Sequence, residues 1–108
     1  LPEDGGEVLA IAKVVRKELR DQNETVRVAR RDGRRLEGQT LFLDVFVSDD
    51  TGTPITLRFD RFQFERTGRA AAELLQPGDA VLVRGKKIPN FAMIKVAKIR
   101  VLNREVAL

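Results

Sequence analysis

The stretch QTLFLDVFVSDD, residues 39–50, constrains the fold more than any other part of this chain. Six of the seven positions from Leu41 to Val47 are apolar, and Asp44 alone interrupts them. In an extended chain successive side chains point to opposite faces. Leu41, Leu43, Val45 and Val47 then share one face, and Phe42, Asp44, Phe46 and Ser48 share the other. The first set has the composition of a protein core. The second mixes two aromatic rings with a carboxylate and a hydroxyl, so it is expected to face outward and to need another explanation.

The same period of two recurs along the chain. Residues 55–59 place Ile55, Leu57 and Phe59 on one side and Thr56 and Arg58 on the other. The turn formers DDTGTP at 49–54 separate this run from the first, so the two are expected to form an antiparallel hairpin. Residues 80–87, AVLVRGKK, read as a strand with Val81 and Val83 on one face. IPNF at 88–91 reads as a turn, because Pro89-Asn90 does not continue a strand comfortably. Residues 92–102 read as a last strand whose alternation slips, which predicts a bulge near Ala97. Between these, the three alanines, Glu73, Leu74 and Leu75 predict a short helix over 63–76, stopped by Pro77-Gly78.

Residues 8–20, VLAIAKVVRKELR, carry two patterns. Val8, Ile11, Val15 and Leu19 fall near helical spacing. The β-branched density from Val8 to Val15 suits a strand with a bulge. A strand is preferred, for a reason that comes from the rest of the fold: the five-strand order of the family likeness described below needs it. Residues 25–37 carry five arginines and a turn signal at Asp32-Gly33, and predict a protruding hairpin or loop.

Composition bounds the chemistry. At 108 residues, 43% apolar and 33% charged, one folded domain is expected. Cysteine and histidine are both absent. Disulfides, thiolate or imidazole zinc sites, and Ser-His-Asp or Cys-His nucleophiles are therefore excluded. No paired carboxylates sit in a recognisable catalytic frame, and Asp49-Asp50 before Thr51-Gly52 reads as a turn rather than a metal loop. The expectation is a non-enzyme with no metal and no cofactor. The lack of cysteine fits a reducing, cytoplasmic setting. No apolar run reaches the roughly 18 residues of a membrane span. The opening LPEDGGE is acidic, glycine-rich and begins with Leu, so the chain is expected to be a piece of a longer protein, with residues 1–7 a flexible lead-in and 103–108 a tail.

Net charge is +4, but its distribution says more. Residues 81–108 hold seven Lys or Arg against Glu105 alone, and with 25–37 they bracket a mildly acidic middle. A polyanion partner is one explanation. The plainer one is that the basic residues solvate strands and loops.

Strand, strand, strand, helix, strand, strand is the order of the OB-fold, a five-stranded Greek-key barrel. FLDVFVSDDTGTPITLRFDRF resembles the second-to-third-strand hairpin of nucleic-acid-binding OB domains. LLQPGDAVLVRGK resembles their helix end and fourth strand. The likeness covers roughly residues 8–102. It is nearest in style to the anticodon-binding-like OB domains of bacterial DNA polymerase III alpha subunits, replication protein A and aminoacyl-tRNA synthetases. The segment 21–37 departs from the pattern, being long for a connection between strands one and two. The resemblance implies an all-β fold with one short helix, a single-stranded DNA or RNA partner, and a binding face on strands two and three flanked by two loops.

On that implication Phe42 and Phe46 stack bases beside Thr56 and Arg58. Arg27, Arg30, Arg31, Arg34 and Arg35 gather phosphates on one flank, and Arg84, Lys86, Lys87 and Phe91 serve the other. Asp44 is awkward for a phosphate track and is expected to pair with Arg58. Two alternatives stand beside this. Phe42 and Phe46 could instead dock a protein, such as another domain of a larger replication, repair or translation protein. Or residues 8–22 could be helical, in a different small β fold that binds a ligand.

Overall fold

The computed structural model describes residues 5–22 and 40–108. Five strands form the bulk of it: β1 (Glu7–Asp21), β2 (Leu41–Asp49), β3 (Pro54–Phe59), β4 (Ala80–Lys87) and β5 (Met93–Val101). They close into a barrel in the order β1-β2-β3-β5-β4, with β4 returning to β1. All neighbours are antiparallel except β3 and β5, which run parallel over a short stretch. Among the described residues no helix is long and apolar enough to cross a membrane.

β1 closes the barrel. It is 15 residues long, pairing with β4 through Glu7–Lys13 and with β2 through Ala12–Asp21. The register to β2 shifts between Val14 and Arg16, so Val15 is the extra residue of a bulge. A bulge bends a strand and raises its twist, which lets one strand leave one neighbour and join another. The helical spacing in this segment is therefore incidental. Ile11, Val15 and Leu19 stand exposed, while Ala12 and Val14 enter the core.

The leucine-valine row of β2 turns inward as expected. Leu43, Val45 and Val47 are buried, as are Ile55, Leu57 and Phe59 of β3 and Val81 and Val83 of β4. β5 contributes Ile94 and Val96, then skips Ala97, because Arg84 pairs with Lys98 while Gly85 pairs with Val96. That bulge brings Ile99 and Val101 back toward the interior.

Residues 61–74 form a helix, α1, in the connection from β3 to β4. It is α-helical over Arg61–Gln63, π-helical over Phe64–Gly68, and α-helical again over Arg69–Leu74. The Asp60 carboxylate caps its start by accepting from the Phe62 and Gln63 N–H groups. Phe64, Ala71 and Leu75 plug one end of the barrel. Gly68 lets the helix approach closely: a Cβ there would lie 2.8 Å from the Phe64 ring and 3.3 Å from Cβ of Phe59.

The chain after β5 is tied down. Arg104 donates to both oxygens of the buried Asp79 at 2.7 and 2.9 Å and also to the Leu74 carbonyl at the helix end. Asn103 accepts from the Ala80 N–H, and Val106 and Leu108 pack against the core. The two hydrogen bonds from Arg104 hold the Asp79 carboxyl below the usual carboxylate range. Asp49, bonded by the Thr51 hydroxyl, and Asp60, whose bonds from Gln63 and Lys95 outweigh its burial, are lowered too. A carboxyl lowered in the folded state adds stability that is complete above its unfolded value of about 4 and is lost as pH falls through the lowered value. Thermal unfolding followed by circular dichroism should therefore hold a steady Tm from neutral pH down to about 4 and drop below it. Asp79→Asn should start lower and drop less. A Tm unchanged in strong acid would contradict this assignment.

Candidate functional site

The outer faces of β1, β2 and β3 form one continuous surface. Its rows follow from strand register. Arg16, Phe46 and Thr56 lie across from one another, as do Glu18, Asp44 and Arg58, and Arg20 lies opposite Phe42. Phe42 and Phe46 are outside the barrel and half-buried. They are not bare. The Arg16 guanidinium carbon sits 3.9 Å from the Phe46 ring centroid, and that of Arg58 sits 5.1 Å from the Phe42 centroid. Contacts of this kind contribute about 0.5–1 kcal/mol at exposed sites.

Asp44 holds this arrangement in place. Its side chain is almost wholly covered, at 3% exposure. Arg58 Nε and a terminal nitrogen donate to its two oxygens at 2.8 and 2.9 Å, and Arg20 Nε lies 3.7 Å away. The paired donors fix the plane of the Arg58 guanidinium. The same bonds push the Arg58 pKa further up. Glu18 does for the neighbouring column what Asp44 does here, contacting Arg20 at 3.0 Å and Arg16 at 3.4 Å. The expected Asp44–Arg58 pair is thus present. Asp44 does not intrude on an anion's path, because its charge is covered and already matched.

The row through Arg58 continues around the barrel. Lys95 of β5 pairs in register with Arg58, and Lys86 of β4 pairs with Lys95. Lys95 also contacts Asp60 at 3.1 Å. Cations therefore extend from the ring pair toward β4. Such a surface offers flat guanidinium-on-ring platforms with outward N–H donors, and a flank of ammonium groups. It can stack planar π systems and bind phosphate or carboxylate oxygens.

The structure gathers some of the expected residues and separates others. Phe42, Phe46, Thr56 and Arg58 share the surface, with Lys86 at its edge. Arg84 does not join them: its register partners are Leu9 and Lys98, on a different face. Lys87 belongs to the inward phase of β4. It is only 4% exposed, and its ammonium donates to the Ile88 carbonyl at 2.7 Å. It lines the barrel end opposite the helix, a groove of about 680 Å³ shared with Asp49, Thr51, Thr53 and the exposed Phe91. Lys87 and Phe91 thus stand together there, apart from the ring pair. Arg27, Arg30, Arg31, Arg34 and Arg35, with the arginine-rich hairpin expected over 25–37, lie outside the described residues.

Four contributors were not singled out from sequence. Arg16, Glu18 and Arg20 do alternate, but which face they occupy depends on the bulge at Val15. Lys95 joins only through the parallel β3–β5 pairing, which leaves no local signal. Compared with protein-family models, curated proteins and solved structures, the chain matches none.

Proposed function

We propose that this chain is an OB-type domain that binds single-stranded nucleic acid, DNA foremost, on the outer surface of β1, β2 and β3. Two features support the fold assignment: the closed order β1-β2-β3-β5-β4 and the helix between β3 and β4. The observation that carries the function is the pair of outward rings, each overlain by a guanidinium, beside the Arg58–Lys95–Lys86 row. Bases stack on the ring and guanidinium planes, and the backbone follows the cations. Stacking of this kind tolerates any base, because every base has a π-face. Weak sequence preference is therefore expected.

Fluorescence anisotropy with labelled oligodeoxynucleotides and oligoribonucleotides tests the proposal. Neutralising about four phosphates gives a slope near −3 in log affinity against log salt, or a loss of roughly 50-fold between 50 and 200 mM. A duplex of the same sequence should bind more weakly, because its bases are already stacked. Undetectable single-strand binding at low salt would sink the proposal and leave the surface to a protein partner.

A further inference from the structure

A second surface on the barrel has a different chemistry. Leu9 and Ile11 of β1 point outward at 68% and 60% exposure. Across the register, Leu9 lies beside Arg84 and then Lys98, and Ile11 lies beside Leu82 and then Arg100. Leu9, Leu82 and Ile99 line a shallow groove of about 370 Å³ whose other walls are Arg84, Lys98 and Arg100. The nearby carboxylates sit beside β1: Glu7 is 4.0 Å from Arg84, and Asp50 borders a neighbouring hollow with Ile11. The patch is thus apolar along β1 and cationic along β4 and β5.

We infer that this patch docks an acidic peptide segment of a partner protein, with apolar side chains seated on Leu9, Ile11 and Leu82 and carboxylates on Arg84, Lys98 and Arg100. Charge complementarity selects this occupant. Two-fold contact with a second copy would gather Arg84, Lys98 and Arg100 of both protomers into one interface, a like-charge concentration that costs energy. A nucleic acid would find phosphate donors here but only aliphatic side chains, which give bases no stacking face. A peptide with both carboxylates and apolar anchors matches both halves of the patch. The inference does not depend on the ring-bearing surface or on what that surface binds.

The test uses labelled synthetic peptides of about twelve residues, a length that spans such a patch whether extended or helical. In one set aspartates flank two leucines spaced two, three or four apart. In the controls, serine replaces leucine or lysine replaces aspartate. At least one aspartate-leucine peptide should bind in the micromolar range, with each control weaker by about tenfold or more. Leu9→Ser combined with Ile11→Ser should weaken that peptide by a similar factor and leave oligonucleotide affinity unchanged. Both residues are exposed, and circular dichroism checks that the barrel is retained. Arg84→Ala with Lys98→Ala and Arg100→Ala should also abolish peptide binding. The inference is overturned if no aspartate-leucine peptide binds, or if binding survives loss of Leu9 and Ile11. It is also overturned if sedimentation shows a dimer that those serines dissociate, or if oligonucleotides displace the peptide and lose affinity with it.

Discussion

Gly85→Ala destabilises the barrel by about 3 kcal/mol or more, the upper range for forcing a methyl group into a packed interior. Gly85 lies in β4 opposite Val96, beside the Ala97 bulge. A Cβ there would fall 2.1 Å from the Lys95 carbonyl oxygen and 2.9 Å from its carbon. Both are backbone atoms of the adjacent strand, so no rotamer change relieves the overlap. Only separation of β4 from β5 would, and that opens the barrel and breaks ladder hydrogen bonds. By strand propensity alone, alanine should be no worse than glycine; here the close approach decides the sign. For a domain of this size the loss lowers Tm by roughly 15 °C, read by thermal denaturation. Gly52→Ala is the contrast. It keeps a left-handed turn at φ 82° with open space around it, so its cost is conformational only, about 1 kcal/mol. Equal effects from the two variants would refute the packing argument.

Replacing Phe42 and Phe46 together with alanine should weaken single-strand binding by about 2–4 kcal/mol, or roughly thirty- to a thousandfold, from two stacked bases. The rings also support Arg16 and Arg58, so the variant loses the platforms and the planes above them. Stability should change far less, because both side chains sit outside the sealed interior formed by Leu43, Val45 and Val47. Arg16→Ala separates the two contributions. It bares the Phe46 ring while leaving it in place, and it should lose affinity mainly at low salt, where its charge counts. An alanine pair that binds oligonucleotides as tightly as the parent, with its Tm intact, would rule out stacking on this surface.

Several elements could be read from the residues in order. The inward row of β2, the outward rings, the alternation in β3, the β4 span, the turn at 88–91 and the slip at Ala97 each depend on neighbours a few positions apart. A period of two and a turn residue are local properties, and local physics enforces them. The Asp44–Arg58 pair was also within reach, because a tight hairpin fixes which residues of its two strands face each other.

What was missed depends on distant contacts. Helical spacing in residues 8–20 competed with strand propensity, and only pairing to β2 and β4 decided between them. Lys87 is the exception, a local miss: it reads with Lys86 as a surface cation although it shares the phase of Val81 and Val83. Strand alternation sends it inward at the barrel's end, where the Ile88 carbonyl receives it. Arg84 left the expected group because it lies across from Leu9 and Lys98, beyond the β4–β5 register shift from Lys86, which pairs with Lys95.

The residue order alone determined that this chain forms strands, where most of them begin and end, and that Phe42 and Phe46 face away from the core, since each follows from side-chain alternation over a few residues. Apart from Arg58, which the hairpin places, the cations that stand beside those rings were decided only by closure of the barrel. Closure sets β1 against β2 through a bulge at Val15 and β5 beside β3 in parallel, bringing Arg16, Arg20 and Lys95 to the same surface. Long-range register is a property of the assembled sheet, and no short window of sequence contains it.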